Sequence, residues 1–86
     1  MATKVNVSKN AIGIVATLNE QLFEAEQELE EKQRAYNAAR WYLAAEQTID
    51  NVKDLRTARK QLRVQQEFVE SIQRHLDNAL EKIYTL

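Results

Sequence analysis

Residues 11–46 read AIGIVATLNEQLFEAEQELEEKQRAYNAARWYLAAE, and residues 55–86 read LRTARKQLRVQQEFVESIQRHLDNALEKIYTL. In the first stretch Val15, Leu22, Leu29, Tyr36 and Leu43 recur at heptad position a, with Ala11, Leu18, Ala25, Lys32, Ala39 and Glu46 at d. In the second, Leu55, Leu62, Val69, Leu76 and Ile83 take a, while Ala58, Gln65, Ile72, Ala79 and Leu86 take d. A seven-residue apolar period belongs to helices that bury a narrow stripe against another helix. The two stretches differ in phase, so the helix must be interrupted after Leu43 and before Leu55. Thr48, Asp50 and Asn51 stand there.

These patterns predict an all-α, two-helix antiparallel coiled-coil hairpin. Its first helix runs from about residue 10 to 47, its turn from 48 to 51, and its second helix from about 51 to 85, behind an N-terminal tail of residues 1–9. Asn51 is read as the N-cap of the second helix and Asp54 as the acid of its first turn. Each helix would be roughly 50 to 60 Å long at 1.5 Å per residue. Folding about the Asp50–Asn51 bond sets Leu43 beside Ala58, Ala39 beside Leu62, Tyr36 beside Gln65, Leu29 beside Ile72, Ala25 beside Leu76, Leu22 beside Ala79 and Leu18 beside Ile83. Large side chains thus meet alanine, which lets helices approach closely while the seam stays filled. A one-heptad slide keeps the a-to-d matching and moves the fold point to Gln47 or Asp54. The turn holds neither glycine nor proline, so a continuous helix through Ala45, Ile49 and Val52, and a domain-swapped pair, can also be drawn.

Composition narrows the classes. Eighty-six residues form one small domain, whose core is thin unless a partner adds buried surface. One glycine, Gly13, and no proline argue against sheets and against a site built from loops. With no cysteine there is no disulfide framework, zinc knuckle or thiol nucleophile, and the expected compartment is the cytoplasm, or a virion for a phage-encoded chain. The apolar run from Ala11 to Leu18 is too short to cross a bilayer, and nothing after it resembles a signal-peptidase site. The net charge of −1 conceals a segregation. Glu20, Glu24, Glu26, Glu28, Glu30 and Glu31 crowd one stretch, and Lys53, Arg56, Arg59, Lys60 and Arg63 crowd another.

A hairpin buries one stripe per helix, so apolar side chains outside a and d call for a second explanation. Trp41 falls at f, the outermost position, with Tyr42 beside it and Ala38 and Ala45 flanking. This neighbourhood suits an anchor for another chain, although a tryptophan lying on its own helix would show the same pattern. At the open end Ala11, Ile12, Ile14 and Val15 would meet Leu80, Ile83, Tyr84 and Leu86, and Phe68 flanks the seam at g. The simplest object that covers such surfaces is a dimeric four-helix bundle or a larger helical assembly. In antiparallel hairpins the acidic stretch of one copy could face the basic stretch of the other. Within the seam Lys32 is read as snorkelling, and the Tyr36–Gln65 layer as fixing register.

No catalytic constellation, cofactor site or metal site is expected, and no small-molecule substrate or membrane partner. His75 is the single histidine and has no second ligand at metal-binding spacing; Ser8 and Ser71 lack a base; one glycine cannot build a phosphate cradle. Three binding roles remain. The chain associates with itself as a small piece of a larger assembly, as small cysteine-free phage accessory proteins do by analogy. It acts as a stoichiometric inhibitor or adaptor through the Trp41 surface. Or it contacts nucleic acid, or an acidic partner, through Arg40, Lys53, Arg56, Arg59, Lys60 and Arg63, where cations near Trp41 and Tyr42 suit phosphates and stacked bases.

Overall fold

A computed structural model of the protein describes residues 9–84 and consists of two helices, α1 (Lys9–Ala45) and α2 (Ile49–Tyr84). Residues 1–8, Thr85 and Leu86 lie outside the described residues, as does the side chain of Tyr84 in the expected open-end patch. The helices pack along their length into an antiparallel hairpin of 66 × 18 × 16 Å. Among the described residues there is no strand. The heptad reading places the seam correctly. Every a and d residue from Ala11 to Leu43 and from Leu55 to Ile83 is buried or half-buried, Lys32 included. Glu46 is the exception: it falls in the link and is exposed.

The turn differs from the sequence reading. The second helix begins at Ile49, and its cap is Thr48, not Asn51. Thr48 Oγ1 accepts the Asn51 N–H at 3.1 Å, and the Thr48 carbonyl accepts the Val52 N–H at 3.1 Å. This is standard N-cap chemistry, with Asp50 rather than Asp54 supplying the carboxylate of the first turn. Asn51 is thereby released for the other helix. Its side-chain amide donates to the Glu46 carbonyl in the link at 2.7 Å and to the Tyr42 carbonyl in the last turn of α1 at 3.3 Å, adding to the backbone bonds those carbonyls already accept. One residue therefore ties the end of α1 to the start of α2, without glycine.

A link of three residues, 46–48, puts the fold point at Gln47, one heptad-slide from the register built on Asp50–Asn51. Ala25 now lies across from Val69, Leu22 from Ile72, Leu18 from Leu76, Leu29 from Gln65 and Tyr36 from Ala58. Ala25, Val69 and Ile72 form the central cluster, with Leu18, Leu22 and Leu29 packed against it. Gln65 does not meet Tyr36; its amide reaches the Ala25 carbonyl instead. The large-against-small alternation survives at Ala25, Ala39, Ala58 and Ala79, which explains why either register satisfies the pattern.

Burial is uneven. Leu62, Gln65, Val69, Ile72 and Leu76 of α2 are buried, but among the described residues of α1 Ala25 alone is buried, and no described side chain is fully enclosed. The cause lies in the sequence. In α2 the large apolar residues gather mostly in one stripe, whereas in α1 they are spread around the helix and one neighbour cannot cover them.

Candidate interaction surface

Eight large apolar side chains are more than half exposed among the described residues: Ile12, Ile14, Phe23, Trp41, Tyr42, Ile49, Val64 and Phe68. Trp41 is 67 % exposed and Tyr42 58 %, and their rings meet edge to face with centroids 5.2 Å apart and planes at 82°. The T-shaped contact makes one rigid aromatic wedge on the outer side of α1. Ala38 and Ala45, one turn either side, are also exposed and leave its flanks open. Phe68 and Ile12 are exposed as their heptad positions imply, but Leu80 is half-buried against the seam.

These residues do not form one patch. Phe68 lies about 20 Å along the rod from Trp41 at 1.5 Å per residue, and Ile12 lies at the opposite end. Ile12 and Ile14 also part company: Ile14 joins Ala11, Leu18 and Ala79 in a hollow rimmed by His75 and Lys82, to which Ile12 does not contribute.

The six basic residues are all exposed, and they divide between two sites. Arg56, Arg59, Lys60 and Arg63 line a single groove on α2 together with Val64 and Glu67. Arg40, Lys53 and Arg56 rim a shallow depression of about 810 Å³ beside the turn, floored by Leu43, Val52 and Leu55 and edged by Ala44 and Ile49. The Arg40 guanidinium also sits over the Tyr36 ring, 5.7 Å from its centroid. None of these cations is paired with a carboxylate among the described residues. In this register Lys53, Arg56, Arg59 and Lys60 lie level with Trp41, Ala38, Ala35 and Arg34, none of them acidic, while Arg63 is level with Glu31 but does not pair with it.

Phe23, Ile49 and Val64 are surface features that the sequence reading did not single out. Phe23 stands alone at position b inside the glutamate run, Val64 at c among arginine and glutamine, and Ile49 in the region read as turn, so none belonged to an apolar neighbourhood. The available signal was isolation itself, a large apolar residue at an outward position with polar neighbours.

Among the described residues no three side chains of histidine, aspartate or glutamate converge as a metal site, and no helix is long and apolar enough to cross a membrane. No protein-family model, curated protein or solved structure matches the chain.

Proposed function

We propose that this protein is a non-enzymatic helical-hairpin interaction module that associates with itself and serves as a small component of a larger assembly. The observation that carries this reading is the imbalance of α1, with five of the eight exposed apolar side chains on the helix that contributes one buried residue to the core. Single exposed apolar residues are ordinary on protein surfaces. On a rod with no enclosed side chain, however, a second buried face is the main remaining source of stability. Light scattering across a concentration series tests the reading. A mass rising above the 10.0 kDa protomer at tens of micromolar supports it, and a constant protomer mass overturns it.

A second reading is favoured by a different observation, the groove that gathers Arg56, Arg59, Lys60 and Arg63. Four unpaired cations within two turns suit a polyanion such as nucleic acid. Retention on DNA or RNA that falls steeply with salt, and falls again when Arg56, Arg59 and Arg63 become glutamine, supports this reading. Absence of binding at low salt ends it.

A further inference from the structure

We infer that the depression beside the turn is the seat for Phe23 of a second copy of this chain, so that two hairpins meet antiparallel on one face. The inference rests on the self-association proposed above and adds to it a specific contact.

The depression and Phe23 are complementary in shape class and in charge. Phe23 is 61 % exposed and lies within the glutamate run, flanked by Glu20, Glu24 and Glu26. The depression has an apolar floor of Leu43, Val52 and Leu55 under a rim of Arg40, Lys53 and Arg56. One is an apolar knob set in negative charge, the other an apolar hollow set in positive charge. An aromatic ring seated there would also offer its face to the Arg40 guanidinium.

Both features lie on the same side of the rod. Phe23 and Ala44, at the edge of the depression, are three whole heptads apart and share position b, so a common helical face carries both. They are separated by about 30 Å at 1.5 Å per residue. A knob and a hollow on one face cannot meet within one rigid hairpin. A single twofold axis perpendicular to the rods seats both knobs at once, which makes the contact isologous and closed. Across a rod 18 Å wide, a contact of that length covers roughly 500 Å² on each copy, about 1,000 Å² in total, near the lower bound for a specific interface. The charges that the hairpin leaves unpaired supply the orientation, because reversing one copy brings the glutamate run over the arginine end.

Because the chain has no cysteine, introduced thiols report the geometry cleanly. The antiparallel contact brings Asn19 of one copy to Gln47 of the other, residues about 40 Å apart along the rod of one protomer. Mixing full-length Asn19→Cys and Gln47→Cys proteins under mild oxidation is expected to give the mixed disulfide in preference to either homodimer. In sedimentation equilibrium, Phe23→Ala is expected to weaken the dimer at least tenfold while the circular-dichroism helix signal is unchanged. A protein that is dimeric but shows no preferential mixed disulfide, and whose Phe23→Ala form associates normally, overturns this seat and leaves self-association standing. A monomer at every concentration overturns both, and leaves the depression to a partner of different sequence.

Discussion

The side-chain amide of Gln65 donates a 2.9 Å hydrogen bond to the main-chain carbonyl of Ala25, forty residues away in sequence and across the seam. Both residues are buried, Ala25 at 3 % and Gln65 at 8 % exposure. The contact requires alanine, since a longer side chain at position 25 would hold α2 too far off for the amide to reach the backbone. The Ala25 carbonyl already accepts its helical N–H bond, so Gln65 uses its second lone pair. A polar contact inside an apolar seam has one preferred partner, and it marks the register that apolar layers alone leave degenerate.

Gln65→Leu is therefore expected to leave stability within about 1 kcal/mol of the parent, because a modest hydrogen bond is exchanged for apolar burial and no buried acceptor is orphaned. Its effect should appear in uniqueness. Spin labels at positions 27 and 67, which are exposed and level with each other in the observed register, should give one sharp distance in the parent and a broader or second distance in the variant. A single unchanged distance would show that the turn alone holds the register.

The turn is the other holder of register. Thr48→Ala removes the cap acceptor and is expected to cost about 1 kcal/mol in urea denaturation. Asn51→Ala removes the donor that closes α1 on Glu46 and Tyr42, with a similar loss. Together the two changes free the chain to run straight through Ala45, Ile49 and Val52. The double variant should shift the population toward an extended or exchanged dimer, visible as a larger hydrodynamic radius at unchanged helix content.

The seam was legible because a seven-residue apolar period has one physical reading, and the a and d residues from Ala11 to Leu43 and from Leu55 to Ile83 all turned inward. The register was not, because sliding by one heptad still sets Ala25, Ala39, Ala58 and Ala79 against larger partners, and the choice falls to hydrogen bonds at Thr48 and Asn51. Asn51 is a good cap residue in any sequence, and its real role, donating backwards to α1, depends on where the helices end. On the surface, Trp41 and Tyr42 announced themselves through an apolar neighbourhood. Phe23 did not, since the hollow proposed to receive it is made by residues seventeen or more positions away.

Gly13 offers a test of local helix energetics separate from packing. It lies inside α1 with an ordinary negative φ, and a Cβ built there would meet nothing within 4 Å. Gly13→Ala is expected to raise stability by roughly 0.5 to 1 kcal/mol through the unfolded-state entropy that alanine lacks. The thermal midpoint should rise with no change in oligomeric state. A fall in stability would mean that something packs over this face of α1 in the assembled protein.

Trp41 separates an interaction surface from a structural one. Its ring meets Tyr42 edge to face and is otherwise exposed, so the hairpin loses little when it is removed. Trp41→Ala is expected to change stability by no more than about 0.5 kcal/mol and to leave the helix signal intact. Exposed aromatic wedges that anchor a partner commonly carry 2 kcal/mol or more of the binding energy, so the same change should weaken the contact it serves by roughly thirtyfold. Position f points away from the seam, so a partner seated at Trp41, whether a further copy or a protein of different sequence, would meet α1 from outside. If Trp41→Ala weakens the dimer as strongly as Phe23→Ala, the two aromatics belong to one interface. If it spares the dimer and abolishes growth of larger species, the wedge is the second contact through which pairs of hairpins join. A large loss of helix signal would instead make the ring part of the fold.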